Sequence, residues 1–215
     1  MKRWFLLVFL LFLFLACARV REETPFSYRV TAKDKKGVLL LDVSVKGGDS
    51  YSERVSLLKE NLRFSCVFPD VASLFKEKAY EVFPDFELAF AKGEGAVSVV
   101  VEPSFAAELQ GGLVFKSDYL VKTLFRCTAH IKGRLYDCSC SAWKVYSTSE
   151  MEKAASFCPE HPVEYLIASD VAPVAVEKCL IRLRRGVLEA FGYPVDKKLE
   201  ALSQEFYEEW LRFSK

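Results

Sequence analysis

Seven cysteines and two histidines are the residues of this chain with the widest choice of chemistry. Cys66, Cys127, Cys138, Cys140, Cys158 and Cys179 form an even set, which in an exported chain predicts a disulfide framework. Thiolates also bind soft metals. Cys138-x-Cys140 together with Cys158-x-x-His161 offers three sulfurs and an imidazole, a donor set that suits zinc or copper(I). That spacing matches no zinc finger, and Cys158 must arrive from a loop. Disulfides are therefore the expectation, and a periplasmic metal-binding or thiol-redox protein is the alternative. There is no Cys-x-x-Cys motif, which places dithiol catalysis lower still.

Other chemistry is short of raw material. With His130 and His161 alone, a Ser-His-Asp or Cys-His arrangement is nearly ruled out by supply. The chain carries no Gly-x-Gly-x-x-Gly, P-loop, Gly-x-Ser-x-Gly or His-Glu-x-x-His. Asp85 and Glu87 have no spacing signal, and Arg182, Arg184 and Arg185 read as a solvated helix face. No catalytic residue and no cofactor is expected; the chain reads as a non-enzymatic protein.

The seventh cysteine has a different setting. Lys2 and Arg3 head an unbroken apolar run, Trp4 to Ala16, which ends directly against Cys17. The run has the length of a signal-peptide core and falls short of the ~20 residues a spanning helix needs. Phe14-Leu15-Ala16-Cys17 resembles a lipoprotein signal, with the leucine one place late. Such a cysteine takes a diacylglycerol on its thiol, and palmitate-type chains then anchor the protein at ~0.8 kcal/mol per buried methylene. Ala16-Cys17-Ala18 is a rival ordinary cleavage site. Ala18, where a retention signal would place aspartate, favours the outer membrane over the inner one.

These signals divide the chain into a signal peptide (1–16), a lipidated cysteine and tether (17–25), a periplasm-facing domain (26–194) and a C-terminal amphipathic helix (195–215). Apolar residues make up 51% of the chain and aromatics 14%, enough for a real core. Two of the 30 basic residues sit in the leader, so the remainder nearly balances the 29 acidic ones. Nothing in that balance attracts nucleic acid.

The positioning elements follow from periodicity. Tyr119 to Lys132 alternates, with Tyr119, Val121, Phe125, Cys127, Ala129 and Ile131 on one face and Lys122, Arg126, His130 and Lys132 on the other. Lys132-Gly133 is a two-residue turn into a second strand, Arg134 to about Ser147. In that register Cys127 faces Cys138, and Phe125 faces Cys140; a slip of two residues would set Cys127 against Cys140 instead. Phe26–Ala32 and Val38–Val45 read as strands about Asp34-Lys35-Lys36-Gly37, and Ala96–Val101 as a buried strand. Glu53–Leu58 and Leu62–Phe68 suit a hairpin, or Ser52–Phe64 a single helix. Ser104–Lys116 reads as an apolar loop, and the stretch through Pro159 and Pro162 as another. Helices are predicted from Pro69-Asp70 to about Val82, from Asp170 to Phe191 with Gly192 as its stop, and from Asp196 to Phe213. Two or three helices on one side of a mainly antiparallel sheet make an α+β fold.

Tyr28-Arg29-Val30, Val38 to Val43, Tyr51 to Arg54, Leu62-Arg63-Phe64 and the proline-led helix Pro69 to Tyr80 come in a characteristic order. Over about residues 26–83 this order resembles the auxiliary lipoproteins of ABC-type envelope transporters, those of MCE lipid-transport systems. Val67-Phe68 departs from the tryptophan that such proteins often carry before the proline. The lipopolysaccharide-assembly lipoproteins are similar in layout. The resemblance implies a membrane-anchored adaptor in the cell envelope, touching a transport or assembly complex or its lipid cargo, with Ser104–Lys116 contributing to the contact.

Overall fold

The computed structural model describes residues 26, 28–30, 34–46, 70–110 and 118–214. The leader, the tether with Cys17, Cys66 and the stretch expected to hold a hairpin or helix at 52–68 lie outside these residues.

Among the described residues the strands are β1 (Val38–Val45), β2 (Glu87–Phe90), β3 (Val97–Gln110), β4 (Asp118–Ile131), β5 (Arg134–Asp137) and β6 (Cys140–Tyr146). The helices are α1 (Val71–Val82), α2 (Thr148–Phe157), α3 (Pro162–Leu166), α4 (Ala172–Phe191) and α5 (Lys197–Phe213), with one π-helical turn at Ile167–Val171. The fold is α+β. The sheet runs β2-β1-β3-β4-β5, with β6 also on β4; β1 is parallel to β2 and β3, and the other pairings are antiparallel.

Local chemistry explains most boundaries. Asp70 caps α1 by accepting the Ser73 amide at 2.7 Å, and Asp196 does the same for α5 through Leu199 at 2.8 Å. Gly192, at φ 75°, ends α4 in the left-handed conformation while Tyr193 N–H reaches the Leu188 carbonyl at 2.8 Å. Lys132 (φ 48°) and Gly133 (φ 74°) form the β4–β5 turn with positive φ at both positions, which suits the twist of a hairpin. Leu39, Leu41, Val97, Val99, Val101, Phe125, Cys127, Ala129 and Ile131 point from one sheet face into the core under α1 and α4. Leu199 and Phe206 of α5 are buried as well, so the C-terminal helix packs onto the domain.

Five expectations are corrected. Phe26 and Tyr28–Val30 belong to no strand, because β1 already has β2 on one edge and β3 on the other. Glu87–Phe90, which has no periodicity of its own, is a strand paired in parallel with Val38–Leu41. Ser104–Gln110 continues β3, held by pairing to Asp118–Leu124, instead of looping out. The strand after Gly133 breaks at Cys138-Ser139 into β5 and β6. The stretch after Ser147 is helical: Ser147 accepts the Glu150 amide while Glu150 accepts the Ser147 amide, a capping box that launches α2.

Gly186 on α4 lies where Tyr136 of β5 crosses it. A Cβ there would stand 2.9 Å from Tyr136 Cδ1 and 3.1 Å from its Cγ. Gly186→Ala gains about 1 kcal/mol of helix propensity but meets overpacking of about 1–3 kcal/mol. We expect a net loss near 1 kcal/mol in urea unfolding; a more stable variant would show that the ring moves aside freely.

Candidate functional site

The cysteines converge on the line where β4, β5 and β6 meet α4. Cys127 is bonded to Cys138, with Cα atoms 4.8 Å apart, and Cys140 to Cys179, at 5.3 Å. All four residues are fully buried. Cys158 is disulfide-bonded too. The hairpin register sets Phe125 against Cys140 and Ile131 against Arg134, so Cys127 stands level with Cys138.

In this connectivity the three sulfurs named as metal ligands are taken up in disulfides. Cys138, Cys140 and Cys158 each belong to a different disulfide, and no cluster of three metal-ligating side chains occurs among the described residues. His161 precedes α3 and sits 3.5 Å from Glu164 through Nδ1, partly covered rather than a plain surface residue. His130 is exposed on the polar side of β4.

What periodicity missed is the charge inside α4. Lys178, Arg182 and Arg184 are all buried, not solvated. Arg184 lays both guanidinium nitrogens on Asp85, at 2.6 and 2.7 Å, and donates to the Val82 carbonyl at 3.1 Å. Lys36 adds a second cation to the same carboxylate. Burial pushes the Asp85 carboxyl up, but Arg184 and Lys36 outweigh it and hold the group at about 2. Arg182 donates to the carbonyls of Ser139 and of Asp137, the latter at 2.9 Å, serving backbone groups that the β5–β6 break would leave open. Lys178 meets Glu209 of α5 at 2.9 Å, and burial lowers its pKa against that carboxylate's pull. Arg185 alone points outward, pairing with Glu189 at 2.8 Å. The one local clue was the four-residue spacing of Lys178 and Arg182, which puts both on a single helix face.

Two further features complete the region. Asp170, in the π-helical turn, accepts the Tyr146 hydroxyl at 2.8 Å and the Lys144 ammonium at 2.6 Å. Burial, then Asp170, raises the Tyr146 pKa, so its hydroxyl is a hydrogen-bond donor at neutral pH. Phe26 packs edge-on against Phe206 with centroids 4.9 Å apart, and the Tyr28 hydroxyl donates to Asp196 at 3.1 Å. The start of the domain is therefore fastened to its last helix. Every one of these charges already has an internal partner, and the arrangement is one that locks strands to helices.

No family model matches the chain, and neither does any curated protein. Among solved structures it is similar to a minor lipoprotein from Acinetobacter baumannii, with a TM-score of 0.36 and 10% identity over 71% of this chain and 93% of that one. It is also similar to a Helicobacter pylori protein described as a neuraminyllactose-binding hemagglutinin homolog, with a TM-score of 0.31 and 9% identity over 88% of this chain and all of the other. Likenesses this distant establish no function.

Proposed function

We propose that this chain is an exported envelope lipoprotein, anchored through Cys17, whose domain serves as a non-enzymatic adaptor for an envelope transport or assembly complex. The observation that carries the reading is cysteine usage: all five described cysteines are disulfide-bonded, a state kept in oxidising compartments and rare in the cytosol. The leader and Cys17 supply the address. The packing of Phe26 on Phe206 supports a short tether, because nine residue steps from Cys17 to Phe26 reach at most about 30 Å. No helix among the described residues is long and apolar enough to cross a membrane, which leaves the acyl chains as the anchor in this reading. The charges of α4 are committed to internal partners, which favours an adaptor over an enzyme. Outer-membrane placement, contact with lipid cargo and kinship with the MCE-system auxiliary lipoproteins are the finer parts of the proposal.

Intact mass of the mature protein from membranes, with and without reduction, tests it. The expected result is a diacylglycerol-modified Cys17 and six further thiols that alkylate only after reduction. A chain starting at Arg19 with free thiols would remove both the anchor and the oxidising address. Co-purification from detergent-solubilised membranes then tests the adaptor role; a protein that stays solitary in every fraction would end it.

A further inference from the structure

The Cys127–Cys138 bond depends on a hairpin register that local forces choose weakly. Side chains alternate along a strand with period 2, so a slip of two residues keeps Cys127, Ala129 and Ile131 facing the helices. Burial therefore does not reject the slipped hairpin, which sets Cys127 against Cys140. Turn chemistry does not reject it either. The native turn centres on Lys132-Gly133, where lysine takes φ 48°. The slipped turn would centre on Gly133-Arg134, with glycine leading, an order that two-residue hairpins also accept.

What distinguishes the native register is α4. Arg182 reaches the Asp137 and Ser139 carbonyls, Gly186 admits the Tyr136 ring, and Cys179 takes Cys140. All three contacts come from a segment well downstream. Before α4 docks, loop length decides which sulfurs meet. The native hairpin bond spans 11 residues and the Cys140–Cys179 bond spans 39. Closure probability falls as about the 3/2 power of loop length, so Cys127 meets Cys140 about 0.8 times as often as it meets Cys138. By the same scaling, Cys140 meets Cys127 about five times as often as it meets Cys179.

We propose that a Cys127–Cys140 disulfide forms in a large share of newly oxidised chains, and that its correction makes this protein a client of a thiol–disulfide isomerase. In that step the thiolate of the isomerase attacks Cys127 Sγ. The Cys127–Cys140 bond breaks, Cys140 leaves as a thiolate, and a mixed disulfide forms. The Cys138 thiolate then attacks Cys127 Sγ and expels the catalyst's thiolate, with no net change in oxidation. A disulfide oxidant finally accepts two electrons from Cys140 and Cys179 as they join, and their protons pass to solvent. The proposal rests on the oxidising address inferred above, but its chemistry can be read in a test tube whether or not the chain is exported.

The test is oxidative refolding of the reduced, full-length mature chain in a glutathione buffer. Aliquots are quenched in acid, alkylated and mapped as peptides. The expected early species is Cys127–Cys140 at an abundance close to that of Cys127–Cys138, falling as Cys140–Cys179 appears. Added protein disulfide isomerase should speed that appearance several-fold. A trace-level Cys127–Cys140 species throughout, or an appearance rate unmoved by the isomerase, would overturn the proposal. In a Cys127→Ser/Cys138→Ser variant, Cys140–Cys179 should form at a rate the isomerase does not change; sensitivity equal to that of the parent would place the bottleneck elsewhere and also overturn it. If that variant fails to fold, the trapped species of the parent chain decide alone.

Discussion

Asp85→Ala is expected to lower the unfolding free energy by about 3–5 kcal/mol, among the largest losses available to a single substitution in this domain. The reason lies in what stays behind. Arg184 keeps only 4% of its side chain exposed, and Asp85 accepts from both of its terminal nitrogens. Without the carboxylate, a buried guanidinium is left with only neutral neighbours, the Val82 carbonyl at 3.1 Å and the Tyr28 hydroxyl. Breaking a buried pair costs far more than the pair's net contribution, because the surviving charge is neither solvated nor compensated. Removing both ends with Asp85→Ala/Arg184→Met should therefore cost less than Asp85→Ala alone. Urea denaturation at neutral pH checks both variants, and a loss under about 1 kcal/mol for Asp85→Ala would mean that water reaches the guanidinium.

The pH dependence follows from the same pair. The Asp85 carboxyl titrates at about 2 in the folded protein, below its ordinary 3.8. A depressed folded pKa contributes stability that is complete above the unfolded value and disappears as pH falls through the folded one. The gap between the parent and Asp85→Ala should thus hold above about pH 4 and narrow toward pH 2, since the parent's carboxyl is then neutral too. A gap that stays constant across that window would assign the loss to packing around Asp85 rather than to its charge.

This pair also shows where the sequence stopped being legible. Elements bounded by local chemistry were readable: α1 by Asp70, α4 by Gly192, α5 by Asp196, β1 by the Asp34-Lys35-Lys36-Gly37 turn before it and β4 by its alternation. Elements chosen by distant partners were not. Glu87–Phe90 becomes a strand because β1 offers it a parallel edge, and four residues carry no period of their own. Ser104–Gln110 reads as loop until β4 is laid beside it. The capping box at Ser147-x-x-Glu150 is a local signal that marks the start of α2. For the site, the hairpin reading put Cys127 within reach of Cys138 but left Cys140 in contention, because a two-residue slip is silent in the burial pattern. The partner that takes Cys140 away, Cys179, lies on a helix whose position over the sheet no local pattern encodes. Arg184 and Arg185 are neighbours of identical type, yet one is buried on Asp85 and the other half-exposed beside Glu189. Composition cannot separate them; only the docking angle of α4 can.

The Cys140–Cys179 bond should matter more than the hairpin bond, although each pair is equally buried. A cross-link stabilises chiefly by restricting the unfolded chain, and more so when it closes a longer loop. The 39-residue separation of Cys140 and Cys179 corresponds to about 4 kcal/mol, against about 3 kcal/mol for the 11 residues between Cys127 and Cys138. Cys140→Ala/Cys179→Ala should therefore lower Tm by roughly 10 °C, and Cys127→Ala/Cys138→Ala by somewhat less. Thermal unfolding followed by circular dichroism under non-reducing conditions reads both. Position reinforces the order. Arg182 still holds β5 and its neighbours in register through the Asp137 carbonyl when the hairpin bond is gone. No other covalent link between described residues ties β6 to α4, the junction on which Lys178 and α5 also depend. If the hairpin pair proved the costlier to lose, loop entropy would not be the governing term, and the disulfides would have to act through packing in the folded core.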